Sequence, residues 1–397
     1  RRSCSAHASA DDSAEKRSMP IAPAPSSSTL ASAGYRFDRE GLAAFLRAGR
    51  EPAWVSGLRQ SGIEVLESLG LPDRHSEHWM RTDLRLFKPS AWALRAEPAG
   101  GALPAGLLAE AITSGESSSE CFPDDSCRPS AATPLAGRFA SLDGHVVTNE
   151  LDPSLAARGV RFGAAEEVLE QHEQELRPHW FGVIDSRCDY FAALHAAFHR
   201  ASVVLYVPPR VRLVEPLHVL AAISAGGVDT SHVLVVLGEG AEATLLTETA
   251  GGGASGTAGG LHCGGTEIVV GRGALLRMVN LQNWNTGVWH FARQKAMVHA
   301  GGRLQWTLGA LGSRVSQVAQ DVALVGREAE AQVNGVMFTE GRQHLVYNTL
   351  QHHEAPACRS DLLYKGALQD RSRLVWRGMI KVDKGAQKTD GYQRNDN

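Results

Sequence analysis

The stretch VVLGEGAEATLLTE, residues 235–248, places a glycine-containing turn between two apolar runs. Its residues 238–243 match the loose G-x-G-x-x-[GA] pattern of a dinucleotide-binding turn. Such a turn must open directly into a helix of about ten or more residues, because the first helical amides face the pyrophosphate. Here the chain continues as ATLLTETAGGGASGTAGG, which predicts strand and loop. The sequence therefore argues against a nucleotide site.

The same turn recurs downstream, and a recurring corner is typical of a repeat architecture. In VVGRGALLRMVNL, residues 269–281, a Gly-Ala pair again separates two apolar runs. Such corners lie roughly 25 to 35 residues apart, each before an alternating run: Gly240-Ala241, Gly273-Ala274, Gly301-Gly302 and Glu328-Ala329. Units of two or three short strands without a crossover helix bury their inward residues by stacking. We therefore predict a mainly β fold with a right-handed parallel β-helix at residues 202–397, and with Gly240, Gly273 and Gly302 at successive corners. On the pattern alone, a β-sandwich is the alternative.

Composition excludes several classes of partner. The 397-residue chain has 43% hydrophobic residues, 21% charged residues and a formal net charge of −3. This balance gives no electrostatic basis for binding nucleic acid or an anionic membrane surface. The longest apolar runs, such as residues 202–208, are strand-sized, whereas a membrane span needs about 18 to 20 residues. The six cysteines lack C-x-x-C spacing, which favours free thiols in a reducing compartment.

Three regions precede the predicted β-helix. Residues 1–34 begin at Arg1, contain a candidate start at Met19, and are predicted to be a disordered tail or an upstream artefact. Residues 35–135 are predicted to form a helical region, interrupted at Pro52 and followed by a Ser- and Pro-rich loop. Residues 136–201 are predicted to mix strand and helix, with a hairpin turn at Asp143-Gly144 and helices in AAEEVLEQHEQEL and RCDYFAALHAAFHRA.

The densest group of potential metal ligands is His352, His353 and Cys358. Thiolate and imidazole would suit zinc or an iron–sulfur species. Adjacent strand residues face opposite ways, however, so the two histidines can share a metal only if the chain turns, as Pro356 allows. The structural alternative is a turn between coils with solvated histidines and a small buried cysteine. No metal site is therefore predicted firmly, and the three residues are candidates for a place near a partner or a cluster.

No set of catalytic residues emerges. The P-loop, G-x-S-x-G and H-E-x-x-H motifs are absent. A β-helix carbohydrate-active enzyme would need grouped acidic residues, whereas Glu215, Glu239, Asp321 and Glu330 are dispersed. The chain is predicted not to be an enzyme, and the carbohydrate-active enzyme is kept as the alternative function.

Three stretches resemble the SufB/SufD family of iron–sulfur cluster assembly proteins. SEHWMRTDL at 76–84 is similar to the family's entry segment, and FAALHAAFHRASVVLYVPPRVRLVEPLHV at 191–219 resembles its central hallmark, with His195 where asparagine is usual. The segment from His352 to Asn397, beginning HHEAPACRSDLLYKG and ending QKTDGYQRNDN, resembles its β-helix signature and is more like SufD than SufB. The likeness runs from about Phe37 to the last residue.

This resemblance implies a parallel β-helix between helical terminal parts. It implies a non-catalytic scaffold subunit that pairs with SufB-like and SufC-like subunits, the latter an ATPase. The iron–sulfur cluster would be assembled by the complex, with no cofactor bound firmly by this chain. The family pattern continues beyond Asn397 into a cluster-assembly segment and a helical SufC-docking domain, so a C-terminally truncated SufD is expected. The expected location is cytoplasmic, with the plastid stroma as the alternative.

Overall fold

The computed structural model describes residues 34–49, 51–73, 75–114, 134–253 and 258–396. The helices are α1 (Arg39–Ala48), α2 (Ala53–Leu69), α3 (Leu107–Ser114), α4 (Pro153–Ala157), α5 (Ala165–Gln171), α6 (Glu173–Leu176) and α7 (Tyr190–Phe198). The strands before the repeating part are β1 (Gly34–Arg36), β2 (Ala93–Arg95), β3 (Gly137–Leu142), β4 (His145–Leu151) and β5 (Arg161–Ala164). The remaining strands are β6 (Val203–Val207), β7 (Leu217–Ile223), β8 (Val228–Asp229), β9 (His232–Leu237), β10 (Glu242–Gly251), β11 (Gly260–Val270), β12 (Leu275–Trp284), β13 (Val288–Val298), β14 (Arg303–Ala310), β15 (Val315–Leu324), β16 (Glu330–Thr339), β17 (His344–His353), β18 (Arg359–Leu368), β19 (Arg373–Val382) and β20 (Asp390–Asp396).

Two nine-stranded sheets carry the fold. Sheet one has the order β20-β18-β16-β14-β12-β10-β7-β3-β4. Sheet two has the order β19-β17-β15-β13-β11-β9-β6-β5, with β8 beside β11. From β9 onward the chain alternates between the sheets, and the pairs between successive coils are parallel, as in β10–β12 and β11–β13. The parallel β-helix is confirmed, and the sandwich alternative is wrong because each strand pairs with the next coil rather than with its sequence neighbour.

The predicted corners are confirmed and form a column along the β-helix. Five successive corner residues adopt left-handed backbone with φ between 60° and 65°: Gly240, Gly273, Gly301, Glu328 and Ala357. The amide of each donates to a carbonyl of the next coil, as Gly240 N does to Arg272 O at 2.8 Å. The residue after each corner is small and buried: Ala241, Ala274, Gly302, Ala329 and Cys358. The column therefore turns the chain by a left-handed residue and fills the inside of the turn with a small one.

The N-terminal helices pack on the outer face of sheet two. As predicted, Pro52 separates α1 from α2, and the helix predicted at 164–176 divides at His172 into α5 and α6. Gly62 of α2 lies against α7 so closely that a Cβ there would stand 2.8 Å from Ala197 N. In the described part of the chain, no helix combines the length and apolar character needed to cross a membrane.

The two ends of the β-helix differ. At the first end β4 and β5 pair antiparallel with β3 and β6, and they are the terminal strands of the two sheets there. The Asp143-Gly144 turn of the predicted hairpin is present, with both residues at positive φ. At the other end the edges of β19 and β20 have no further strand among the described residues.

Some sequence expectations concern regions that the structure describes only in part. Residues 1–33 of the predicted tail, including Met19, and most of the loop predicted after residue 107 lie outside the described residues, whereas Gly34 begins β1. Residues 107–114 of that predicted loop are the helix α3. Strands of both sheets already occur at 137–164, because β3 pairs in parallel with β7.

Candidate functional site at the open end

The open end presents apolar side chains on its last strands. On β19, Met379 and Val382 are 55% and 52% exposed. Tyr392 on β20 is 53% exposed, and Leu368, the last residue of β18, is 48% exposed. Edge strands carry unpaired backbone groups, and monomeric proteins usually protect such edges by charge, bulges or covering segments. The arrangement can therefore accept a further strand together with apolar contacts.

Buried polar atoms also lack partners in this last coil. Trp376 Nε1, Gln393 Oε1 and Asn395 Oδ1 are buried without a hydrogen-bond partner. By register, Gln393 lies beside Leu362 and Asn395 beside Tyr364, so both occupy inward positions. Buried polar groups are normally paired. The last coil thus has hydrogen-bonding capacity that a neighbouring layer would satisfy.

His353 lies on the inner face of β17. It is fully buried, and its Nε2 is 2.8 Å from Ser360 Oγ, which in turn donates to Gln351 Oε1 at 3.0 Å. Burial lowers the pKa of His353, and the neighbouring His352 adds to that effect. A neutral imidazole in this position is a member of an interior hydrogen-bond network.

His352 points outward from the same strand. Its Nδ1 is 2.9 Å from Glu354 Oε1 and its Nε2 is 2.9 Å from Asp383 Oδ1. The hydrogen bond from His352 lowers the pKa of Asp383. Both ring nitrogens therefore face carboxylates, and this imidazole ties β17 to the loop after β19.

Cys358 occupies the small-residue column inside a corner. It is 1% exposed, and its Sγ lies 3.2 Å from Gly326 O and 3.8 Å from Leu324 O. Burial raises the pKa of the thiol. The structure thus places Cys358, His352 and His353 in three different environments, and no group of three metal-ligating side chains occurs in the described ranges.

Three buried histidine–carboxylate pairs escaped the sequence analysis: His218–Glu248 at 2.7 Å, His262–Asp229 at 2.9 Å and His232–Glu267 at 3.2 Å. Glu248 also accepts from the amides of Leu108 and Ala109 at the start of α3. Glu267 accepts from the amides of Val183 and Ile184. The available signal was a charged residue inside an otherwise apolar strand, which requires a partner.

A polar network inside the β-helix also went unpredicted. A cavity of about 60 Å³ lies between the sheets and is lined partly by His262, Asn280, Gln282 and Gln294. Gln294 Nε2 donates to Asn280 Oδ1 at 3.2 Å, and Gln320 Nε2 donates to Gln294 Oε1 at 3.4 Å. Tyr364 then donates to Gln320 Oε1 at 2.6 Å. Inward polar side chains therefore link the cavity to the coils near the open end.

The acidic residues considered for an enzyme remain apart. Asp321 lies on β15 of sheet two and Glu330 begins β16 of sheet one. Glu239 lies in the corner before β10, and Glu215 lies in the connection before β7. They form no common carboxylate site.

Comparison with known proteins gives a consistent family. Residues 220–397 match the family model described as SUF system FeS cluster assembly, SufBD core domain. An iron–sulfur cluster assembly SufBD family protein of Staphylococcus epidermidis is 25% identical over 253 residues, covering 64% of this chain and 54% of the relative. Relatives with the same description in Staphylococcus haemolyticus and Staphylococcus aureus are each 24% identical over 253 residues, with the same coverage. The chain spans about half the length of the curated relatives it matches.

Proposed function

From the premise that this chain belongs to the SufB/SufD family, through the SufBD core domain at residues 220–397, we propose that it is a scaffold subunit of an iron–sulfur cluster assembly complex. The proposal includes a SufD-like place beside a SufB-like subunit and a SufC-like ATPase, with no catalysis by this chain alone. The cluster is cargo that the complex builds. The single observation that carries the proposal is the SufBD core match on a parallel β-helix.

The open end supplies a physical reason for association. A partner strand on β19 or β20 would pair the free backbone groups, cover Met379 and Val382, and offer partners to the orphaned polar atoms of the last coil. We propose that the SufB-like subunit contacts this end. His352, His353 and Cys358 lie on the strand and corner next to it and are kept as partner-proximal or cluster-proximal residues.

Two valines at opposite ends test this assignment. Val382 on β19 and Val147 on β4 are 52% and 55% exposed. The chain would be co-expressed with SufB-like and SufC-like subunits, and captured through a tag. We expect Val382→Glu to weaken capture at least about tenfold, because burying an unpaired carboxylate in an interface costs more than 1.4 kcal/mol. Val147→Glu, the matched control, should leave capture unchanged.

Two results would contradict the proposal. Equal capture of both variants, with both folded by circular dichroism, would remove the open end from the interface. Hydrolysis of polysaccharides by the isolated chain would instead favour the carbohydrate-active alternative.

A further inference from the structure

Residues 76–87 form a strap across the outer face of sheet two. Trp79 stacks on Phe191 with ring centroids 5.0 Å apart, and Phe87 meets Phe291 edge-on at 5.1 Å. Gln317 on β15 donates to His78 O at 2.9 Å and accepts from Thr82 Oγ1 at 2.5 Å. These buried contacts anchor the middle of the strap.

The first end of the strap, residues 76–77, is called its tip, and fewer buried contacts hold it than hold the middle. Arg377 on β19 donates to Glu77 O at 2.8 Å and to Glu77 Oε1 at 2.5 Å. The side chain of Glu77 is 70% exposed and that of Arg377 is 34% exposed. Largely exposed ion pairs contribute little to stability. The tip can therefore open while the aromatic anchor stays in place.

A cavity of about 30 Å³ lies beneath this tip, and its lining includes His78, Trp79, Arg293, Gln317, Ala319 and Asn348. Three of the lining residues stand side by side on sheet two, since Arg293 pairs in register with Ala319, and Ala319 with Asn348. Arg377 follows Asn348 on the next strand. The short side chain of Ala319 leaves the space between Arg293 and Asn348 unfilled.

The polar groups around that space lack partners. Three buried atoms have no hydrogen-bond partner: Arg293 Nε, Asn348 Nδ2 and Asn348 Oδ1. Asn348 as a whole is 8% exposed. A buried donor or acceptor left unpaired destabilises the folded state. The space thus offers two donors and one acceptor to an occupant.

Side chains of both charges surround the cavity. The cationic ones include Arg293, Lys295 and Arg377, and the acidic ones include Asp189, Asp321 and Glu77. Asp189 holds Arg293 at 2.6 Å, and Glu77 holds Arg377. If the tip opens, Arg377 loses its carboxylate partner, and an anionic occupant would take the place of that charge.

We propose that this cavity is a binding site for a small oxyanion that bears one hydroxyl, as hydrogencarbonate and hydrogenphosphate do, and that the strap tip is its lid. Acceptor oxygens of the anion take hydrogen bonds from Arg293 Nε and Asn348 Nδ2, and its hydroxyl donates to Asn348 Oδ1. Guanidinium groups suit such planar or branched oxyanions. With the lid closed the cavity has room for about two water molecules, so the anion enters as Glu77 moves outward.

Calorimetric titration of the chain with hydrogencarbonate and with phosphate, at constant ionic strength and with chloride as the reference, tests the site. We expect saturable binding of at least one of the two. Asn348→Leu should weaken it at least tenfold, because both unpartnered amide atoms are lost. Asn334→Leu is the matched control on the outer face of sheet one and should bind as the unaltered chain does. Glu77→Gln should bind the anion more tightly, because the competing carboxylate is gone.

A second variant keeps the anion site testable if Asn348→Leu fails to fold. Asn348→Asp keeps the size of the side chain and should weaken anion binding, because a carboxylate repels an anion. Saturable binding unchanged in a folded Asn348 variant would overturn the site. Heats of dilution alone for both anions would mean that the cavity holds only water, and would also overturn it. None of these measurements depends on a SUF partner, so they stand apart from the proposed function.

Discussion

At the scale of single residues, burial decides the chemistry of the histidines. His195, His199 and His290 are each at most 4% exposed. Burial lowers the pKa of all three well below the usual value, and neighbouring imidazoles or Arg59 add to the effect. These side chains therefore remain neutral in the folded protein at ordinary pH. They pack in the interior, where His290 Nδ1 accepts a hydrogen bond from Trp284 Nε1 at 3.0 Å and His199 Nδ1 lies 3.0 Å from Ala196 O.

The free energy of unfolding should therefore fall in mild acid. In the unfolded chain these histidines take up a proton near pH 6.5, whereas the folded chain excludes it, so below about pH 6.5 the unfolded state binds more protons. Each such histidine removes up to about 1.4 kcal/mol per pH unit until its folded pKa is reached. Urea unfolding between about pH 8 and pH 5 measures this loss. His195→Asn should reduce the dependence of the free energy of unfolding on pH, and His75→Asn, at an exposed histidine, is the control. An unchanged pH dependence in His195→Asn would contradict a neutral, buried His195.

At the scale of elements, outward carboxylates on the β-helix fasten the segments that cover it. Glu248 on β10 caps α3, and Glu267 on β11 holds the chain before α7 through the amides of Val183 and Ile184. Both side chains are fully buried and each also faces a histidine. A carboxylate at the first amides of a helix is favoured by the helix dipole as well as by hydrogen bonds. The covering elements are thus joined to the coils by charge-assisted contacts.

Removal of the Glu248 carboxylate should loosen α3. Hydrogen bonds to charged groups contribute about 1.5–3 kcal/mol, and His218 would lose its partner, so Glu248→Ala should lower the free energy of unfolding by about 2–3 kcal/mol. Amide exchange at 107–114 should rise in the same variant. Glu242→Ala is the control, because Glu242 lies on the same strand and pairs with Arg212 at 3.5 Å, the two side chains being 29% and 71% exposed. Such a pair contributes about 0–1 kcal/mol. Equal losses of the free energy of unfolding in both variants would show that the contacts of Glu248 stabilise the fold no more than the Glu242–Arg212 pair does.

At the scale of the whole molecule, the β-helix is a stack bordered by antiparallel strands β4 and β5 at one end and by parallel strands β19 and β20 at the other. Among the described residues, β11 and β13 have neighbouring strands on both sides, whereas β19 and β20 have one. The stability of a stacked repeat depends on its contacts with adjacent repeats. We therefore expect the coil of β19 and β20 to open at lower cost than the middle coils, and it is also the proposed partner surface.

Hydrogen exchange should follow this gradient. Amides of β19 and β20 should exchange at least about tenfold faster than those of β11 and β13, because local opening at the end breaks contacts with only one coil. Mass spectrometry of peptides from these strands measures the difference. Uniform protection along the stack would contradict a labile end, and protection gained at β19 when a SUF partner is added would support the proposed interface.

Much of the fold follows from local sequence. The corners at Gly240 and Gly273 were predictable because a glycine followed by a small residue recurs between apolar runs at a regular interval. The break at Pro52 follows from backbone restriction, whereas the division of the helix predicted at 164–176 at His172 was not predicted. Alternation along a strand also predicted that His352 and His353 face opposite sides. The assignment of partner subunits to the end of the β-helix nearest Asn397 is a proposal that rests on the family resemblance.

Other features were decided only by the tertiary structure. Cys358 looks like a metal ligand in the sequence, yet its place in the corner column makes it a small buried side chain whose sulfur meets carbonyl oxygens. Glu248 meets α3 across about 140 residues, and the pairing of Glu77 with Arg377 spans 300 residues. The sequence by itself determined the coil, because turn geometry and side-chain alternation depend on neighbours along the chain. The polar cavities, the strap and the buried pairs depend on which coils come to lie together, and residue spacing carries no information about such distant contacts.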